Sequence, residues 1–285
     1  MRVAVRPRWK PPRVGGGRTR SSREGARVTV DQKQALAAVW TDREAAASYR
    51  YRPPYPAPTF GLLRRLIVAP NTVLDVGAGT GSVARSLRSF AARVDAIEPS
   101  EAMIAEARGL PGGDDPLIHW IHGTGETARL APPYGLITCG QSLHWMDHDV
   151  VMPRFASALA HGGVLAALDQ DWEYPPTWRA KLTEIIQRYS PLQRKPFFVD
   201  LFGELQTRGL FERLGSQRTS VVPFDQSVED FIRALQSTST LSRVTLGPRT
   251  DGLAADVRAL FRNLGIDRVV VPVAGNVVWG RPLAR

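Results

Sequence analysis

Three glycines at alternating positions, Gly77, Gly79 and Gly81, follow the run Val73-Leu74-Asp75-Val76 and lead at once into an apolar helical pattern of Val83, Leu87 and Phe90. A strand that turns tightly into a helix leaves backbone N–H groups free above the sheet edge. Glycine accepts positive φ in such a turn and lets a ligand touch the main chain, which a Cβ would prevent. Taken alone, the turn is also what a plain strand–turn–helix junction looks like. Twenty-one residues after Gly77, at the end of a second strand-like run (Val94–Ile97), stands Glu98. That is the distance at which an acid meets ribose hydroxyls on nucleotide-binding α/β folds. A carboxylate suits the task because it accepts two hydrogen bonds from a vicinal diol. The spacing is not the dinucleotide fingerprint, since Ser82 stands where Gly-x-Gly-x-x-Gly requires its third glycine.

The elements that must position these residues alternate as in a doubly wound α/β chain. Thr41-Asp42-Arg43-Glu44 reads as a capping box opening a helix that runs to about Tyr49, and the prolines of Arg52-Pro53-Pro54-Tyr55-Pro56 stop it. Thr59 is expected to cap the next helix, with Phe60, Leu63, Leu66 and Ile67 on one face. After the second strand, Ser100 caps a helix carrying Met103, Ile104 and Ala107. Leu117–Ile121 and Leu136–Cys139 are the third and fourth strands, and a helix to about Ala160 stops at Gly162-Gly163 before a fifth strand, Val164–Leu168. Beyond it the pattern predicts a strand over Ser216–Val222, helices over Ser227–Gln236 and Ala254–Leu264, and closing strands Val269–Val273 and Asn276–Trp279, the last antiparallel.

The net charge of +10 is concentrated at one end. Residues 1–30 hold nine Arg or Lys against Glu24 alone, a surplus of eight that leaves two for residues 31–285. The body is therefore nearly neutral and shows no basic patch suited to a phosphate backbone. The first 30 residues mix those arginines with prolines and glycines and lack an apolar face, so they read as a disordered basic tail. An early translation start is favoured for them over a transit peptide or a nucleic-acid arm, and no apolar h-region of a secretory signal is present. The single cysteine, Cys139, excludes an intramolecular disulfide and fits a reducing, cytoplasmic setting. No apolar run approaches the roughly 18–20 residues of a membrane helix. The five histidines pair into no metal-ligand spacing, and neither a P-loop nor a nucleophile elbow occurs.

The glycine turn with Asp75, and Glu98-Pro99-Ser100 followed by Met103, resemble the class I S-adenosylmethionine (SAM) methyltransferases. Tyr49-Arg50-Tyr51-Arg52-Pro53-Pro54-Tyr55-Pro56 and His144-Trp145-Met146-Asp147 are similar to segments of one subgroup that acts on small molecules. The resemblance implies a Rossmann-like, seven-stranded mixed sheet with helical lid insertions between the late strands. Residues 31–168 then form a cofactor-binding half and 169–285 a lid and sheet-closing half. It implies SAM as cofactor, held by Asp75, Gly77, Ala78, Gly79, Gly81, Glu98, Pro99, Met103, Thr124, Gly125, Glu126 and Gln141. The loop Gly123–Thr127 would edge the adenine, with Thr124 where many members carry an acid. Tyr51, Arg52, Tyr55, Trp145 and Trp172 are the substrate or clamp candidates, and the aromatics of 169–215 are otherwise core. Were the acceptor a hydroxyl or carbon acid, His144 would be the candidate base, the alternative being a structural histidine beside the cofactor. The reading is methyl transfer to O, N or C of a small molecule, with no membrane partner. The alternatives are an RNA or protein methyltransferase, which would want a basic body or a signature such as Asn-Pro-Pro-Tyr where Gly140-Gln141-Ser142-Leu143 stands, or a non-catalytic SAM-binding protein. The oligomeric state is not legible.

Overall fold

A computed structural model describes residues 38–190 and 201–284. The basic tail, the expected onset of order at Asp31, and Phe197 and Phe198 lie outside the described residues.

One mixed sheet organises the chain, in the order β3-β2-β1-β4-β5-β8-β6 with β7 also paired to β8. Strands β1 (Thr72–Val76), β2 (Arg93–Glu98), β3 (Ile118–His122), β4 (Tyr134–Gly140) and β5 (Leu159–Trp172) run parallel, while β8 (Arg268–Pro282) is antiparallel to β5. Successive side chains of a strand alternate faces, and the apolar runs of β1 and β4 split accordingly. Val73, Val94 and Leu136 pack with Leu62, Leu63 and Leu87 on one face, and Leu74, Ile97 and Ile137 with Met152 and Phe155 on the other. A third core gathers on the amino-terminal half of β8, where Val269, Val271 and Val273 meet the helices Pro176–Tyr189, Val228–Gln236 and Arg249–Asn263. Trp178, Phe231 and Phe261 form its centre, with ring centroids 5.3–5.9 Å apart.

The late elements differ from expectation in their bounds. The two predicted closing strands are one continuous β8 of 15 residues, because Pro272 and Gly275 sit within the ladder without breaking it. The strand expected at Ser216–Val222 is β6 (Phe211–Arg218) followed by β7 (Val222–Ser227), both on β8. Their outward-facing residues carry little alternation, so periodicity could not locate them. Glycine is needed at 215, where a Cβ would lie 2.3 Å from the Trp279 ring at a register shift.

Two predicted caps are also corrected. Asp42, not Thr41, caps the helix Arg43–Ser48 by accepting from the Ala45 N–H at 2.9 Å. The helix Ala57–Leu66 starts directly after Pro56 with Pro58 in its first turn, where a missing N–H costs nothing, and this places Thr59 inside it and buried. The helix His148–Ala158 gives way to β5 at Leu159, ahead of the glycine pair. Ser100 caps as the sequence indicates, and Ser227 caps the helix Val228–Gln236.

Candidate functional site

At the carboxyl ends of the parallel strands lies a cleft of about 440 Å³. Ligands on open α/β sheets sit at this edge. Its floor is the turn after β1, with Gly77 at φ 68° and Gly79 at φ 57°. A Cβ on Gly77 would fall 2.5 Å from that of Ser142, whose hydroxyl donates to the Val76 carbonyl. A Cβ on Gly79 meets no protein atom within 4 Å, so the space beside this glycine belongs to the cleft.

Two buried carboxylates hold the turn. Asp75 accepts from the Ala84 N–H at 3.1 Å and the Thr138 hydroxyl at 2.8 Å, tying the helix after the loop to β1 and β4. Burial pushes its carboxyl up to about 7 against those two hydrogen bonds, with the Glu98 charge adding to the rise. Glu98 accepts from the Gly79 N–H at 2.7 Å and from the Ser100 N–H at 2.9 Å. Burial raises it above the usual carboxylate range, opposed by these N–H groups and by His122. Among the described residues neither carboxylate has an ion-pair partner.

The expected cofactor residues Asp75, Gly77, Ala78, Gly79, Glu98, Pro99, Met103, Thr124, Gly125, Glu126 and Gln141 all line this cleft, as do Arg52, Tyr55 and Trp145. Four expected residues do not. Gly81 faces the Trp120 ring, 2.9 Å from where a Cβ would stand. Tyr51 lies under Arg233, whose guanidinium is 4.8 Å from its ring centroid and donates to its hydroxyl. Trp172 packs against the third core. His144 is on the turn Leu143–Trp145, its ring 4.8 Å from that of Trp145, and stays outside the cleft lining.

The Pro-rich stretch closes one side. The Arg52 guanidinium stands 4.3 Å over the Tyr49 ring and donates to Gln141 Oε1 at 3.4 Å. Gln141 donates in turn to Asp169 at 2.9 Å, and Gln170 to the Pro53 carbonyl at 3.2 Å, fixing residues 49–55 to the end of β5. The Tyr55 hydroxyl is buried and held far above its ordinary pKa, first by burial and then by Asp169. Trp40, Tyr49, Ser142, Met146 and Gln170 line the cleft without having been singled out as site residues. Trp40 and Tyr49 flank the capping-box helix, a local signal for their element but not for their inward position.

Residues 73–163 match the family described as a methyltransferase domain. Trans-aconitate 2-methyltransferase of Paracidovorax citrulli is 34% identical over 130 residues, covering 43% of this chain and 48% of that protein. Malonyl-acyl-carrier-protein O-methyltransferase of Enterobacter lignolyticus is 33% identical over 115 residues, covering 38% and 44%. The chain thus spans about half the length of the curated relatives it matches. A solved structure from Anaeromyxobacter dehalogenans, provisionally assigned as a type II methyltransferase, superposes with a TM-score of 0.62 at 23% identity over 82% of this chain and 99% of that one. The two share a fold.

Proposed function

We propose that this chain transfers a methyl group from SAM to a small-molecule acceptor. The observation that carries the reading is the Gly79 cradle. It is open to the cleft, bound through its N–H to Glu98, and flanked by Thr124–Glu126 at the same edge of the sheet. A second observation fits the same group: Asp75 and Glu98 are buried acids with no ion-pair partner among the described residues, and SAM is a cation. In this reading Glu98 holds the ribose, Gly77–Gly79 the main body of the cofactor, and Thr124–Glu126 with Pro99 and Met103 the adenine. When bound, SAM supplies an activated methyl group on a sulfonium that is already a good leaving group.

The chain's own part is then alignment and exclusion of water. Residues 49–55, fixed over the cleft by the Gln141–Asp169 and Gln170–Pro53 contacts, shield one side, and Trp145 walls another. A carboxylate acceptor, as borne by the compounds named for the relatives above, needs no proton removed before it attacks. His144, behind Trp145, shapes the cleft through that ring. Small-molecule chemistry is favoured over nucleic acid by the nearly neutral body.

Calorimetric titration with SAM, S-adenosylhomocysteine and NAD, followed by transfer of labelled methyl into a metabolite extract, tests the proposal. Binding of the first two and labelling of a low-mass product are expected. Tight binding of NAD without SAM defeats the reading, and SAM binding with no transfer to any extract makes the chain a binder. A His144→Ala variant that loses 100-fold in turnover at unchanged SAM affinity would return the base role to His144.

A further inference from the structure

Trp40 lies in the turn Ala38–Thr41, well ahead of the residues that match the methyltransferase domain. It lines the cleft and meets the Trp145 ring edge-on, with centroids 5.0 Å apart. Its carbonyl accepts the Ser100 hydroxyl at 2.6 Å, and the Ser100 N–H donates to Glu98. The indole is therefore registered, through one residue, to the carboxylate assigned above to the ribose. Its Nε1 hydrogen is shut off from solvent and has no acceptor among the described residues. A buried donor left without an acceptor costs about 1–3 kcal/mol. Thr59, Arg93 and Gln226 carry such atoms away from the cleft, whereas Trp40 and Arg52 carry theirs on residues that line it.

We infer that the Trp40 indole N–H is a ligand donor, satisfied by an acceptor atom of the adenosine moiety when SAM or its product occupies the cleft. The assignment to the nucleoside rather than the amino-acid end follows from its neighbours. Trp40 is tied to Ser100 and Trp145, and Met146, next in the chain, lies 3.3 Å from where a Gly125 Cβ would stand. Arg52 and Gln141 instead group with Asp169 on the β5 side. The inference rests on the SAM reading and adds a specificity residue that the domain match does not contain.

Trp40→Phe separates the two possible uses of this side chain, because phenylalanine keeps an aromatic wall and removes the N–H. For the unliganded protein the thermal midpoint of Trp40→Phe should equal or exceed that of the wild type, since an unpaired buried donor has been deleted. Its dissociation constant for S-adenosylhomocysteine should nevertheless rise about five- to tenfold by calorimetry, the scale of one lost hydrogen bond. The same rise should appear with 5′-methylthioadenosine, which has the nucleoside but no amino-acid portion. Unchanged affinity for both ligands overturns the inference. So does a loss confined to S-adenosylhomocysteine, which would put the donor at the amino-acid end, and so does a lowered midpoint without any loss of affinity, which would make the N–H structural. A folded wild type that binds neither ligand defeats the SAM reading itself and the inference with it.

Discussion

The two ends of the parallel sheet treat buried carboxylates in opposite ways. At the amino end, Asp95 of β2 is locked: Tyr134 donates to it at 2.6 Å, Arg93 stands at 3.2 Å and His119 at 3.3 Å. The Tyr134 hydroxyl also accepts from the Ala131 N–H, and burial with the neighbouring Asp95 pushes its pKa up to about 12. Cation, donor and acceptor are all supplied by the protein. At the carboxyl end, Asp75 and Glu98 receive only N–H and hydroxyl donors, and both are raised by burial. A buried carboxylate without a counter-ion is costly to the free protein. A cationic ligand entering the cleft would relieve that cost. The amino end is therefore finished by folding, and the carboxyl end is left for a ligand to finish.

The contrast breaks hardest at Gly79. Gly79→Val puts a β-branched side chain at φ 57° and fills space that only the cleft occupies, so S-adenosylhomocysteine binding should vanish at millimolar ligand while the protein stays folded. Normal binding by the folded variant would remove the turn from the site. The next largest effect belongs to the other end. Asp95→Ala removes the acceptor of the Tyr134 hydroxyl and the carboxylate beside Arg93, which keeps the Ala131 carbonyl, and should cost about 2–3 kcal/mol in urea denaturation, with ligand affinity unchanged. An affinity loss there would mean the two ends are coupled.

Glu98→Ala should weaken S-adenosylhomocysteine by about 1.5–3 kcal/mol, or roughly 10- to 150-fold, the range of charge-assisted hydrogen bonds. A dissociation constant equal to that of the wild type would move the ribose elsewhere. The smallest effect is a pH slope. Because the Asp75 carboxyl is raised from 3.8 to about 7, the folded chain binds a proton that the unfolded chain has released over that range. Its contribution therefore lowers stability as pH rises from about 4 to 7, the sign opposite to that of an ion-paired carboxylate. Asparagine does not ionise, so Asp75→Asn should gain on the wild type between pH 4.5 and 8, on the order of 1 kcal/mol of unfolding free energy per pH unit. A difference between the two proteins that is flat with pH would show Asp75 to be ionised throughout.

The parallel core and the cleft floor were legible from the residues alone. Strand runs of β-branched residues, glycines where φ must be positive, and an acid one βαβ unit later are local signals whose spacing is imposed by backbone geometry. That is why β1, β2 and most of the residues that line the cleft were readable, along with the cap Ser100. Which aromatic residues face inward was settled by packing between distant elements. Of Trp40 and Trp172 one lines the cleft and the other supports the third core, because the Trp40 turn packs on the helices Arg43–Ser48 and Glu101–Gly109 while Trp172 ends β5 opposite Val273. Gly81 and His144 show the same limit. Both sit in motifs that suggest contact with a ligand, but packing against Trp120 and Trp145 turns them from the cleft. Docking is set by long-range burial, to which a local pattern is blind.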